Sequence, residues 1–246
     1  MKSLKFKKFP SVSYPVNEAF NTLTTNLSFA GKDLKKIMLT SSHASEGKSF
    51  TSMNLLRKFA ERGKQVVFVD ADLRRSMINT TYGVQFEKSG TAYGLSHYLA
   101  GIAEMDDIIY KTDIEGAKMI PVGRDLLNPI PLIVSGRFQE LLDKLAEQFD
   151  YVIVDAAPVG VVIDAAEIAK FCDGILLVVN YNEVHRQELI DTKEQLEQTG
   201  CPILGTVLNQ VDYDNYTSKK YYYKSYKSNS YYSHYYKKTD ENNKKD

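Results

Sequence analysis

Short apolar runs alternate with longer amphipathic stretches along most of the chain, and the alternation predicts strand and helix in turn. Buried strands are expected at 37–39, 65–72, 118–122, 149–155, 174–180 and 203–210, where aliphatic residues cluster. Such runs suit a parallel sheet covered on both faces. Between them, Val16, Phe20, Leu23 and Leu27 recur at helical spacing in 15–29, with Pro15 suited to a first turn. Further helices are expected at 48–62, 94–100, 132–148, 163–171 and 185–199; Phe138, Leu141, Leu142 and Leu145 form one apolar face. The stretch 73–116 is irregular, broken at Tyr82-Gly83, Ser89-Gly90 and Gly101, and Asn128-Pro129-Ile130-Pro131 interrupts the chain again. The fold class is therefore α/β, a parallel β-sheet sandwiched by helices.

The pattern stops at 211. Beyond it tyrosine, lysine, serine and asparagine dominate and too few aliphatic residues remain to anchor a core, so a flexible tail is expected at 212–246. Nine of the 21 residues from 216 to 236 are tyrosine: Tyr216, Tyr221, Tyr222, Tyr223, Tyr226, Tyr231, Tyr232, Tyr235 and Tyr236. The rest divides into an N-terminal segment and helix packing on the core, 1–34, and a nucleotide-binding domain, 35–211.

Composition adds constraints. The 246 residues suffice for one large core. Lysine plus arginine equal aspartate plus glutamate at 31 each, so no global field points to nucleic acid. Cys172 and Cys201 lack metal-ligand spacing and read as buried, inert thiols of a reducing compartment. Apolar runs such as 175–179 fall far short of the roughly 20 residues a spanning helix needs. The basic N-terminus lacks the apolar centre of a signal peptide, and the expected location is cytoplasmic.

Chemistry enters with the stretch from Ser42 to Ser49, which joins a strand to a helix and ends in Gly47-Lys48-Ser49. A loop of this kind presents backbone N–H groups at a helix start and favours a polyphosphate. Within Gly-x4-Gly-Lys-Ser, the lysine contacts the β- and γ-phosphates and the hydroxyl holds Mg²⁺. Ser42 stands where the first glycine belongs, and an ordinary strand-to-helix turn is the competing interpretation. Asp70 and Asp72 end one strand and Asp155 another, at the carboxyl ends where ligands of parallel sheets bind. Asp70 and Asp72 can share one metal ion or divide its coordination from polarising a nucleophile. Asp155 closes its apolar run at the metal-holding position of phosphate-loop enzymes. Each aspartate could instead cap a helix.

Taken together, these residues resemble the bacterial tyrosine kinases of capsular and exopolysaccharide synthesis, in the form whose cytoplasmic kinase is separate from its membrane activator. The Gly47-Lys48-Ser49 loop is similar to the family's Walker A, Val69-Asp70-Ala71-Asp72-Leu73-Arg74 to its Walker A′, and Val152-Ile153-Val154-Asp155-Ala156-Ala157-Pro158 to its Walker B. Asn128-Pro129, Asp164, Leu208-Asn209-Gln210 and the tyrosine cluster fit the same family.

The resemblance implies a phosphate-loop fold related to the MinD and ParA ATPases, and transfer of the γ-phosphate of ATP to tyrosine with Mg²⁺. It assigns nucleotide contact to Ser45, Glu46, Gly47, Lys48, Ser49, Phe50, Arg74 and Asn209, and metal coordination to Ser49, Asp70, Asp72 and Asp155. Catalysis falls to Lys48, Asp70, Asp72 and Asp155, with Asp70 and Asp72 sharing activation of a hydroxyl whose ordinary pKa is about 10. Arg74 either neutralises transition-state charge or forms a solvated ion pair. Asn209 either meets the adenine edge or satisfies a turn.

The nine tail tyrosines become phosphoacceptors, modified between subunits. Interleaved tyrosine and lysine could also stack on single-stranded nucleic acid, but the charge that phosphate brings favours a phosphorylation switch and no nucleic acid. Implied partners are a separate membrane-bound polysaccharide co-polymerase that activates the kinase, a cognate tyrosine phosphatase and a homo-oligomeric ring, with recruitment to the inner face of the membrane. Rival expectations are a MinD- or ParA-type ATPase switch and a non-catalytic nucleotide-binding regulatory subunit.

Three departures matter. Glu18 is followed by Asn21 and Thr24 where many members carry arginines linked to ring assembly. Ala44-Ser45 replaces the usual Pro-Gly, so Ser45 is expected to take a conformation that glycine reaches more easily, at about 1 kcal/mol. His43 stands five residues before Lys48, where MinD and ParA carry a signature lysine, and is expected to be an exposed loop residue.

Overall fold

The computed structural model describes residues 2–31, 33–87, 92–181 and 183–211. The nine tail tyrosines lie outside the described residues. The chain divides into two units, Met1–Asn209 and Gln210–Asp246, and every described strand and helix belongs to the first. In order these are β1 (Lys2–Phe6), α1 (Tyr14–Phe29), β2 (Lys36–Ser41), α2 (Lys48–Glu61), β3 (Val66–Ala71), α3 (Ile78–Tyr82) and β4 (Val84–Phe86). Then come α4 (Leu95–Leu99), α5 (Met105–Ile108), β5 (Tyr110–Lys111), β6 (Ala117–Ile120), α6 (Ile130–Ile133) and α7 (Arg137–Gln148). The last are β7 (Tyr151–Ala156), α8 (Asp164–Ala169), β8 (Gly174–Asn180), α9 (Arg186–Glu197) and β9 (Ile203–Asn209).

The strands form one sheet in the order β4-β1-β5-β6-β3-β7-β2-β8-β9. All neighbours are parallel except β1 with β4 and β5 with β6. Both faces are buried, which is why the central strands read as unbroken apolar runs. Met38, Val67, Val69, Val152 and Val154 point into one core with α7 and α8, whereas Ile37, Leu39, Val66, Phe68 and Ile153 point into the other with α2. Full burial of one such side chain contributes on the order of 1.5–3 kcal/mol. Among the described residues no helix is long and apolar enough to cross a membrane.

Three stretches differ from their sequence pattern. The helix expected over 132–148 divides into α6 and α7, because Gly136 takes φ +84 and resets the chain direction between them. Besides α4, which matches the helix expected at 94–100, the irregular stretch 73–116 contains α3, β4, α5 and β5, and the basic N-terminus contributes β1. In β1 only Leu4 and Phe6 are buried, so it lacks the apolar run of a central strand. It is held by pairing with β4 and β5, whose partners lie about eighty to one hundred residues away, at Phe86 and Tyr110.

Candidate active site

The central strands end where the sequence places its acids. Asp70 of β3 and Asp155 of β7 are register partners, and Leu39 of β2 pairs with Asp155 from the other side. The loop from β2 to α2 therefore rises beside both carboxylates. Gly47 caps α2 with φ +89, and Ser45 takes φ +68, the left-handed conformation expected of it. A Cβ on Gly47 would lie 1.8 Å from Asn209 Nδ2, so no other residue fits there without displacing Asn209. Ser42 needs no glycine: its hydroxyl accepts a hydrogen bond from Thr192 Oγ1 at 2.9 Å, and its carbonyl passes so close to Gly160 that a Cβ there would approach it to 2.4 Å.

At the start of α2, Lys48 Nζ lies 3.1 Å from Asp72 Oδ2 and 3.6 Å from Asp155 Oδ2. Ser49 Oγ donates to Asp155 Oδ2 at 2.6 Å, and Ser52 Oγ donates to Asp155 Oδ1 at 2.9 Å. Burial works against the charge of Lys48, but Asp155 and Asp72 outweigh it and raise the lysine pKa. For Asp155, burial outweighs Lys48 and the two serines and moves the carboxyl upward. Asp70 is pushed up to about 8, first by burial and then by Asp155, against the lowering effect of a hydrogen bond from Ser76. That bond, Ser76 Oγ to Asp70 Oδ2, is 2.5 Å long, while Asp70 Oδ1 is buried without a hydrogen-bond partner.

The fold thus gathers Lys48, Ser49, Asp70, Asp72 and Asp155 in one crevice. The other predicted residues are placed differently. Arg74 turns its guanidinium to Asp164, with Nε to Oδ2 at 2.6 Å and Nη2 to Oδ1 at 2.9 Å, while Nη1 reaches Leu127 O at 2.8 Å. Phe50 packs its ring on Phe20 of α1, 5.9 Å between centroids, leaving its backbone for the loop. Asn209 Nδ2 donates to the carbonyl of Glu46 at 3.0 Å. His43 is exposed. The sequence pattern singled out neither Ser52 nor Ser76. Ser52 lies one helical turn beyond Lys48 and was legible as a hydroxyl on the same face, whereas Ser76 had no signal without the turn after β3.

The oxygen donors suit Mg²⁺ in kind: a serine hydroxyl, two partly satisfied carboxylates and the unpartnered Asp70 Oδ1 are all hard ligands. Among the described residues, however, no three histidine, cysteine, aspartate or glutamate side chains stand arranged around a metal position. Lys48 holds the space between Asp72 and Asp155.

Comparison with known proteins identifies a family and a fold. Residues 34–200 match the AAA domain family. The chain is 38% identical over 207 residues to the tyrosine-protein kinase CpsD of Streptococcus agalactiae, covering 81% of this chain and 89% of that one. It resembles the kinase domain of the Escherichia coli tyrosine kinase ETK with a TM-score of 0.72 and 31% identity, over 80% of this chain and 77% of that one. The septum site-determining protein MinD of Pyrococcus horikoshii, solved with Mg-ADP, shares the fold at a TM-score of 0.60 and 24% identity, over 71% and 70% of the two chains.

Proposed function

This chain belongs to the bacterial tyrosine-protein kinases of capsule synthesis, and we propose that it transfers the γ-phosphate of ATP to its own C-terminal tyrosines, between subunits. The observation that carries this is the meeting of Lys48, Ser49, Asp70, Asp72 and Asp155 at the carboxyl end of the sheet. On this proposal Lys48 leaves Asp72 and Asp155 for the β- and γ-phosphates, and Ser49, Asp155 and Asp72 hold Mg²⁺. When bound, Mg²⁺ neutralises the charge that develops on the phosphates. Asp70 takes the proton of the tyrosine hydroxyl on Oδ1 as the phenolic oxygen bonds to the γ-phosphorus and the bond to the β-bridging oxygen breaks, releasing ADP. Asp70 accepts that proton only in its ionised form, so phosphorylation is expected to rise with pH as the carboxyl, held at about 8 by burial, loses its own proton. Arg74 orders the Walker A′ turn through Asp164 rather than touching nucleotide.

The acceptors are Tyr216, Tyr221, Tyr222, Tyr223, Tyr226, Tyr231, Tyr232, Tyr235 and Tyr236. Each phosphate adds roughly −1.5 to −2 charge, which turns a lysine-bearing segment acidic and acts as a switch on polysaccharide synthesis and export. The kinase domain spans 35–211, with 1–34 adding β1 to its sheet and α1 packed on it. The protein works in the cytoplasm, recruited to the inner face of the membrane by a separate co-polymerase that activates it, with a tyrosine phosphatase to reverse the modification.

Incubation with Mg²⁺, ATP and the activator's cytoplasmic segment, followed by mass spectrometry of the tail, is the test. Wild type accumulates tail phosphotyrosine and Lys48→Met falls at least 100-fold below it. Phosphate release without phosphotyrosine replaces the kinase with a MinD-type ATPase switch, and nucleotide binding with neither product replaces it with a regulatory subunit.

A further inference from the structure

The phosphate loop carries a feature that nucleotide contact does not explain. Glu46 is buried, and its Oε2 accepts two consecutive backbone N–H groups, from Ser42 at 2.8 Å and His43 at 3.1 Å. Its own carbonyl is held by Asn209 Nδ2 at 3.0 Å. Successive amides that converge on one point form a nest for an anion, and bonds to a carboxylate are among the stronger hydrogen bonds. In this loop the anion is one of its own side chains. The two amides that open the loop are therefore already satisfied, leaving the later amides, at the start of α2, for a phosphate.

We propose that Glu46 is a positioning residue whose carboxylate, with Asn209 as second anchor, braces the phosphate loop in its open shape before nucleotide arrives. This rests on the loop being the nucleotide site. The brace accounts for how the loop holds a strained Ser45, φ +68, without the glycine that such a turn usually recruits. Fixing the loop in advance removes an ordering cost that would otherwise fall on binding.

Titration of ADP into the full chain without Mg²⁺ tests it, alongside amide hydrogen exchange of the free protein. Glu46→Ala is expected to weaken ADP at least tenfold and to speed exchange at the Ser42 and His43 amides at least tenfold. Glu46→Gln restores both to within threefold of wild type, because an amide oxygen accepts the same two bonds. Asn209→Ala weakens ADP threefold or more, and carries the test with Glu46→Gln should Glu46→Ala fail to fold. Affinity equal to or above wild type in Glu46→Ala overturns the brace, as does an equal loss in Glu46→Ala and Glu46→Gln, which would make the charge the active element. With Asn209→Ala and Glu46→Gln alone, unchanged ADP affinity in the former or a tenfold loss in the latter overturns it. Lys48→Met in the same titration separates the two ideas: if it binds ADP as wild type does, the loop is not the nucleotide site. If it weakens and Glu46→Ala does not, the brace alone fails.

Discussion

At the carboxyl ends of β3 and β7, Lys48 and three aspartates are packed out of water around one another; at the outer edge of the same sheet, Phe6, Phe9 and Tyr82 meet ring to ring at 5.3–6.2 Å. The crevice keeps charge where water cannot screen it, and burial moves the Asp70 and Asp155 carboxyls upward. The edge joins ring and apolar contact to strand pairing and to exposed ion pairs, Lys5 with Glu87 at 2.6 Å and Lys2 with Asp107 at 3.2 Å, none of which faces the crevice. The lesson is that stability and chemistry are separated along one sheet. The crevice should tolerate loss of charge and lose function, and the edge should lose stability and keep function.

The sharpest way to break that contrast is Asp70→Asn. Tyrosine phosphorylation is expected to fall by about 100-fold or more, the usual scale for removing a general base. Stability should move the other way. In the folded protein Asp70 keeps its proton up to about 8, whereas in the unfolded chain it ionises near ~4. Between those values the folded state binds the extra proton, so wild-type stability falls as pH rises. Asparagine removes that slope, and urea unfolding from pH 5 to pH 8 should show a flatter profile and a more stable protein at pH 8. An unchanged slope would mean that Asp70 is ionised in the fold.

Phe6→Ala probes the other region. Removing a buried ring from a three-ring cluster is expected to lower unfolding free energy by about 3 kcal/mol. Phosphorylation per folded molecule should stay within twofold of wild type. A tenfold drop at full folding would show that the edge and the crevice are coupled. The smallest effect belongs to the loop: Ser45→Gly relieves a left-handed serine and should stabilise by about 1 kcal/mol, read as a rise in melting temperature.

Legibility in the sequence followed the same division. The central strands β2, β3, β7 and β8 are apolar on both faces, and their runs announce themselves without any partner. The strands of the edge do not. In β1 polar and apolar residues are mixed, β5 has two residues, and β4 has no buried residue, so each exists only through pairing with chain far away. Gly136 was visible as a residue type, yet only the packing of α7 on the sheet decides that the chain turns there instead of continuing as helix.

For the site, the residue types and their order were enough to name Lys48, Ser49, Asp70, Asp72 and Asp155 as a set, because strand ends in a parallel sheet converge on one crevice. The family, too, was legible from the three motifs and agrees with the similarity to known tyrosine-protein kinases. What each side chain bonds to was not. Arg74 could have faced a phosphate or a carboxylate, and Asp164, which β7 and the turn after it bring within 2.6 Å, decides for the carboxylate. Asn209 could have met adenine, and the approach of β9 to the loop gives its amide to Glu46. The sequence by itself determined the α/β layering and the phosphate loop with its three acids, since both follow from local pattern. Only the tertiary structure decided that the first amides of the loop, at Ser42 and His43, bond to its own Glu46 carboxylate, because a hydrogen bond depends on distances between atoms that burial and strand order set.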